Sequence, residues 1–310
     1  MRIAIIVVVV LVCLGLSACG GSESTPTTTT TTPVTRLQVV TTTAVLADFA
    51  RVIGGEQVDV YSLLKPNVDP HEYEPTAADT TALAKADVII QNGIGLEGWF
   101  EETMENAEVR GRRVDASVGV TLRKGVGGGA EAGEDDPHIW HSPLNARTMV
   151  TNIRSVFEGA DPANAELFAG QERAYHSQLG ALDREIRASI STLTNKKLVT
   201  SHDSLGYYVD EFDLDYVGSV IPGFDSQAEL SPAQINDVVA KIKAQGVKAI
   251  FTETSLPAKA AEAVAQEADV KLITGEDGIY GDSLGPPESD AATYLQMLRH
   301  NTDVIVSNLR

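Results

Sequence analysis

Strand-like and helix-like segments alternate along two stretches of this chain, one from about Leu37 to Asn145 and one from about Lys196 to the end. A long segment rich in Ala, Glu, Gln, Leu and Arg lies between them. Alternation of this kind predicts mostly parallel sheets covered by helices. The fold class expected is α/β: two lobes, each a mostly parallel sheet flanked by helices, joined by one long backbone helix. The expected organisation is an N-terminal lobe over residues 37–160, a linking helix over 161–194 and a C-terminal lobe over 195–310.

In the first stretch LQVVTT reads as a strand and AVLADFARVIG as the helix after it. QVDVYSLL, DVIIQNG and RRVDAS read as further strands, with TAADTTALAKA and LEGWFEETMENA as helices between them. The linking segment runs from Pro162 to about Leu193, with Asp161 as its cap and Pro162 in its first turn. As one helix it would be about 45 Å long at 1.5 Å per residue. A break at Gly170 or Gly180 would instead give two shorter helices. In the second stretch KLVTS, LDYVGSV, VKAIFTE and VKLIT read as strands, and SLGYYVDEF and LPAKAAEAVAQEA as helices. SPAQINDVVAKIKAQG is a helix with a marked start and stop: Ser231 as N-cap, Pro232 in the first turn and Gly246 as terminator. Its Ile235, Val238, Val239 and Ile242 fall on one face.

The N-terminus decides the compartment. Met1-Arg2 precedes a charge-free apolar run over residues 3–16. A membrane-spanning helix needs about 20 apolar residues, so this run has the length of a signal-peptide core instead. It ends in Leu16-Ser17-Ala18-Cys19, small residues before a cysteine, which fits a bacterial lipoprotein cleavage site. Residues 1–18 are then the signal peptide, and residues 19–36 a lipidated, Thr-rich tether with its acyl chains on Cys19. The alternative is an uncleaved anchor. Cleavage removes Cys13 and leaves one acylated cysteine, so no intramolecular disulfide can staple the fold. The lipid would hold the protein on the outer face of the cytoplasmic membrane, or in the periplasm of a cell with an outer membrane.

The formal charge is −19. An excess of that size argues against nucleic acid and anionic lipid as partners. It suits a protein that gathers cations, although many exported proteins are acidic for solubility alone.

The sequence has six histidines: His71, His138, His141, His176, His202 and His300. In open parallel sheets, ligands bind beyond the carboxyl ends of strands. His71 follows the second strand, in Asp69-Pro70-His71-Glu72-Tyr73-Glu74-Pro75; His202 follows KLVTS directly; His138 lies in Asp136-Pro137-His138-Ile139-Trp140. Asp282, in Gly281-Asp282-Ser283-Leu284, follows the last strand, with Glu276 and Asp277 as rival carboxylates nearer the strand end. Two ligands from each lobe would set an ion in the cleft between them, and three imidazoles with a carboxylate suit tetrahedral zinc. His176 and His300 read as surface residues, and His141 as a surface residue or a neighbour of the site. The acidic residues Glu131, Glu134, Asp135 and Asp136, in the loop 125–136, read as a solvated surface.

Those motifs, with Ser201-His202-Asp203-Ser204-Leu205-Gly206-Tyr207 and Glu253-Thr254-Ser255, occur in one order over nearly all of residues 37–310. In this the sequence resembles the zinc/manganese substrate-binding proteins of ABC importers, the cluster A-I solute-binding proteins that include the adhesin-like lipoproteins. The resemblance implies His71, His138, His202 and Asp282 as metal ligands. Glu72, Trp140, His141, Asp203, Tyr207 and Glu253 would surround them, with Trp140 and Tyr207 as pocket walls. It implies a monomeric, non-enzymatic carrier that docks on an ABC permease in the cytoplasmic membrane. Members favouring manganese resemble one another in having Glu where this chain has His202; imidazole suits zinc and a carboxylate suits manganese, so Zn2+ is the expected metal and Mn2+ the alternative. One departure is that the family usually continues Asp-Pro-His-x-Trp with Leu-Asp-Pro, where this chain has His141-Ser142-Pro143.

Two rivals are an exported zinc hydrolase and a surface adhesin without transport. A catalytic zinc keeps an open position for water, which four protein ligands would close. His-Glu-x-x-His and phosphate-loop motifs are absent from the sequence.

Overall fold

The computed structural model describes residues 36–71, 73–125, 133–224, 226 and 231–310. The expected signal peptide, Cys19, nearly all of the expected tether, Glu72 and Glu131 lie outside the described residues.

The first sheet is built from β1 (Leu37–Thr41), β2 (Val58–Ser62), β3 (Val88–Gln91) and β4 (Arg112–Asp115), in the spatial order β2-β1-β3-β4. Every pairing is parallel, with Leu37 opposite Val58 and Val39 opposite Val88. The second sheet repeats the arrangement with β5 (Lys197–Thr200), β6 (Asp215–Ser219), β7 (Ala249–Phe251) and β8 (Lys271–Ile273), in the order β6-β5-β7-β8. Parallel neighbours need crossover connections, and these are α1 (Ala44–Gly54), α2 (Ala77–Lys85), α3 (Phe100–Asn106), α6 (Gly206–Phe212), α7 (Pro232–Gln245) and α8 (Lys259–Ala268). In both sheets the chain leaves the central strand in one direction and returns on its other side. That leaves a crevice beyond the carboxyl ends of β1 and β3, and another beyond β5 and β7.

Local chemistry sets the helix ends. Ser231 caps α7: its hydroxyl accepts from the Gln234 amide, the Gln234 side chain accepts from the Ser231 amide, and Gly246 takes the left-handed conformation at φ 65°. Thr76 and Asp79 form the same reciprocal box at the start of α2.

Asp79 does more than cap. Its carboxylate accepts from the Thr76 amide (2.7 Å), the Thr76 hydroxyl (2.6 Å), Tyr61 (2.9 Å) and Tyr73 (2.8 Å), and the residue is 1% exposed. Burial pushes the carboxyl upward, but these donors outweigh it and hold it below its usual range. A carboxylate depressed in the folded state contributes stability that is complete above its unfolded pKa and lost as pH falls through the folded one. Asp79→Asn should therefore cost about 1–3 kcal/mol near neutral pH. In acid unfolding curves the gap between the variant and the parent should close as pH falls below about 4. A gap that stays constant down to the lowest pH would rule out this role.

The linking segment differs in detail from expectation. Pro162–Asn164 form a 3-10 turn, and the α-helix proper, α5, runs unbroken from Ala165 to Ile190. Asp161 does not cap it; its carboxylate accepts from the Asn164 side chain at 2.6 Å. Gly170 and Gly180 do not interrupt the helix. A helical glycine costs about 1 kcal/mol against alanine, and the buried stripe Phe168, Tyr175, Leu179, Leu182, Ile186 and Ile190 outweighs both.

Two long helices went unread in the sequence: α4 (Pro143–Ala160) and α9 (Tyr294–Leu309). Both carry clear start signals, Ser142-Pro143 for α4 and the Thr293/Gln296 box for α9. α9 follows the second sheet in sequence yet packs on α1 and α5. Its first amide, at Tyr294, donates to Asp48 of α1 at 3.0 Å. The largest apolar cluster consequently runs through both sheets, from Val39 and Phe49 through Tyr175 to Leu198, Phe251 and Leu309.

Candidate metal centre

His71, His138, His202 and Asp282 are brought together at the carboxyl ends of the two sheets. One ligand-type atom from each lies within 4.8 Å of all the others. Asp282 is central: Oδ1 is 3.3 Å from His138 Nε2, and Oδ2 is 3.2 Å from His202 Nε2 and 3.7 Å from His71 Nε2. Tetrahedral bonds of about 2.0–2.1 Å place ligand atoms about 3.3–3.4 Å apart. All three Nε2 atoms and both Asp282 oxygens are buried without a well-formed hydrogen bond. Buried polar atoms are nearly always satisfied, so five orphans converging on one point fit an ion.

The histidines are held from behind. His202 leaves β5 directly, and its backbone carbonyl accepts from Thr200 at 2.6 Å. Its Nδ1 lies 2.6 Å from Glu253 Oε1, which also accepts from Ser201 and Ser204. Glu253 follows β7, so ring and carboxylate come from the two strands that flank the crevice. The His138 Nδ1 lies 2.8 Å from Asp136 Oδ1, and the other Asp136 oxygen accepts from Arg123 at 2.7 Å. A carboxylate behind each of these two rings fixes its tautomer and leaves Nε2 facing the cluster, as a bound cation would require.

The two Asp-Pro-His triplets share one local geometry. Asp69 accepts from the His71 amide at 2.8 Å, and Asp136 accepts from the His138 amide at 2.9 Å. Each is an Asp side chain bonding the backbone two residues on, which fixes where the histidine starts.

The charges are strongly coupled. Burial pushes Asp282 up, but His202 and His138 facing it hold it well below the carboxylate range. Burial would lower His138, and the carboxylates of Asp136 and Asp282 outweigh it and raise the ring to about 9. Burial lowers His71, which has Asp282 as its strongest opposing charge.

Close approach dictates two glycines here. A Cβ on Gly281 would stand 2.0 Å from the Glu253 carboxylate, and one on Gly206 would stand 1.6 Å from the Arg123 guanidinium. Both belong to motifs that stood out in the sequence.

The remaining expected residues fall as follows. Trp140 packs edge-on against His138 at 5.4 Å between ring centres, as a pocket wall should. Tyr207 is also buried, but its hydroxyl donates to the Asp136 carbonyl and accepts from the Arg123 amide, bracing the chain behind His138. Asp203 is buried beside Tyr216 and stands outside the four-residue cluster. Glu276 and Asp277, the rival carboxylates, border a separate hollow with His300 and Asp303.

Three readings need correction, and of the two readings of His141 the structure favours the neighbour of the site. His141 is wholly buried, its Nε2 donating to the Gly281 carbonyl at 2.8 Å, and burial pushes it down to about 3. His300 is tied to Asp290 and the Gly278 carbonyl and packs on Tyr280, so it is not a surface side chain. His176 is part-buried against the Arg147 carbonyl, where it links α5 to α4. Asp136 is fully buried and not part of a solvated acidic surface. Sequence reasoning passed over Asp136 and Arg123 as supports for His138. The signal for Asp136 was its place two residues before the histidine; nothing in the sequence tied in Arg123.

Two parallel-sheet lobes linked by a long helix hold a buried cluster at the sheets' carboxyl ends, and the family that the chain matches is one of solute-binding transport proteins, which are not enzymes. The chain belongs to the family described as "Zinc-uptake complex component A periplasmic", whose sequence profile matches residues 39–308. It is 31% identical over 279 residues to the manganese-binding lipoprotein MntA of Bacillus subtilis (strain 168), covering 89% of this chain and 90% of that one. It is 29% identical over 284 residues to the iron ABC transporter substrate-binding lipoprotein MtsA of Streptococcus pyogenes serotype M1, covering 88% of this chain and 89% of that one. Among solved structures it is similar to the periplasmic zinc binding protein TroA from Treponema pallidum, with a TM-score of 0.79 and 28% identity, covering 88% of this chain and 99% of that one.

Proposed function

We propose that this protein captures a divalent transition metal outside the cytoplasm, with Zn2+ as its cargo, and delivers it to the permease of an ABC importer. His71, His138, His202 and Asp282 are the ligands in this reading, and Cys19 carries the lipid that keeps the protein at the membrane. The observation that carries it is the convergence of three buried Nε2 atoms on one buried carboxylate, at separations of 3.2–3.7 Å. Relatives named for manganese, iron and zinc fit a transition metal without choosing among them. His202 supports zinc, because imidazole favours zinc where a carboxylate at that position would favour manganese.

Capture displaces protons from the imidazoles. His71 is the one of the four whose side chain is not fully buried, at 11% accessible, and it borders a cavity of about 280 Å3 with Phe224, Glu134 and Asp135. Ions enter and leave there. α1, α5 and α9 pack as one block, so release comes from loop movement near His71 or Asp282 and not from hinge opening. Solution scattering of metal-free and loaded protein should superimpose closely; a large change in radius of gyration would refute the rigid-lobe reading.

The test of the function is metal analysis of the purified protein followed by competition. We expect one zinc per chain, retained against excess manganese. Displacement of zinc by equimolar manganese would move the assignment to manganese.

A further inference from the structure

We propose that His141 is a positioning residue for metal binding: it locks the peptide plane that aims Asp282 at the cation. The inference rests on the reading of Asp282 as a ligand.

The Gly281 carbonyl accepts two side-chain hydrogen bonds across the molecule, from Trp140 Nε1 at 3.0 Å and from His141 Nε2 at 2.8 Å. A carbonyl oxygen has two lone pairs, so these donors saturate it. That carbonyl belongs to the peptide unit joining Gly281 to Asp282. The unit is planar, so fixing the carbonyl fixes the Asp282 amide and the start of its side chain. Because a carbonyl can only accept, His141 must carry its proton on Nε2. Its Nδ1 is buried without a hydrogen-bond partner among the described residues. An apolar side chain would fill the same space without leaving that orphan, so packing alone does not account for a histidine here.

The neighbouring backbone is pinned in the same manner. Asn301 of α9 brackets Tyr280 through its amide and carbonyl, at 2.8 and 2.7 Å. The Asn67 amide donates to the Ser283 hydroxyl at 2.7 Å and to the Leu284 carbonyl at 3.1 Å. Asn67 can do so because it adopts φ 63°, a left-handed conformation that Asn tolerates. Asp282 thus sits between residues that other elements hold on both sides. Ligands need placement within about 0.5 Å of the productive geometry, and the plane through Gly281 is the nearest control on it. The residues that hold that plane, Trp140 and His141, lie two and three positions after His138, so one short turn supplies a ligand and aims another.

The test compares His141→Leu, which removes the donor at similar volume, with His141→Gln, whose amide nitrogen reaches to the same place as Nε2. Zinc release into excess chelator is timed, and the visible spectrum of the Co2+-loaded protein reads the coordination geometry. His141→Leu should release zinc about tenfold faster, within the range typical for groups that orient metal ligands. It should also change the Co2+ band intensities, while His141→Gln stays close to the parent in both. If His141→Leu folds poorly, His141→Asn, whose amide is too short to reach, should reproduce the faster release. Parental release rates and an unchanged Co2+ spectrum in both Leu and Asn variants, even with a lower melting temperature, would overturn the proposal and leave His141 as packing. Failure of the parent protein to hold one zinc would instead overturn the metal-binding reading beneath it.

Discussion

His202→Ala should reduce zinc affinity by more than about 100-fold, since removing a ligand costs more than removing the groups that orient one. The loss goes beyond one bond. Glu253, whose carboxylate faces His202 Nδ1 at 2.6 Å, would be left buried without its imidazole. An uncompensated buried charge is costly, so the altered site would take in water or a proton before metal. Titration against a chelator of known affinity measures the effect, with circular dichroism confirming that the chain is folded. Unchanged affinity would mean that the ligand set is wrong. His202→Glu is the informative companion. It should narrow the preference for zinc over manganese, because it replaces imidazole with a harder oxygen donor.

Phe49→Ala should destabilise the protein by about 3–5 kcal/mol, the usual cost of emptying a buried aromatic site. Phe49 is fully buried on α1 and meets Tyr294 of α9 edge-on at 4.8 Å and Tyr175 of α5 at 6.0 Å. It therefore stands where the helix after the first strand, the linking helix and the C-terminal helix converge. Loss there loosens the seam through which the two sheets share a core. At about 2–4 °C per kcal/mol for a chain of this size, the melting temperature should drop by roughly 10 °C. A drop of only a degree or two would show that the seam contributes little and that each sheet is stabilised largely by its own helices.

The alternation of strands and helices was legible because each signal is local. Val39-Val40, Ile89-Ile90 and Leu198-Val199 mark central strands, and Ser231, Pro232 and Gly246 mark the ends of one helix. α4 and α9 are no less marked, by Ser142-Pro143 and by Thr293 with Gln296, but each stands outside the strand–helix alternation that makes the other elements legible. The four clustered residues were legible for another reason. A histidine or aspartate just beyond a strand stands at a sheet's carboxyl edge, and two such edges facing each other bring the residues together. What supports them was harder to read. Arg123 reaches Asp136 across 13 positions, and His141 reaches Gly281 across 140. Both depend on how separate elements pack, which spacing along the chain does not encode. His176 and His300 were misjudged, and His141 stayed between two readings, for that same reason: each carries a polar ring whose partner is a distant carbonyl.

The claim at the centre of this account is that three imidazoles and one carboxylate hold a single transition-metal ion. X-ray absorption at the zinc edge of the loaded protein tests it most directly. One zinc per chain is expected, with three imidazole nitrogens at about 2.0–2.1 Å and a carboxylate oxygen completing the shell. A shell with one imidazole or none, or one built from water oxygens, would contradict it.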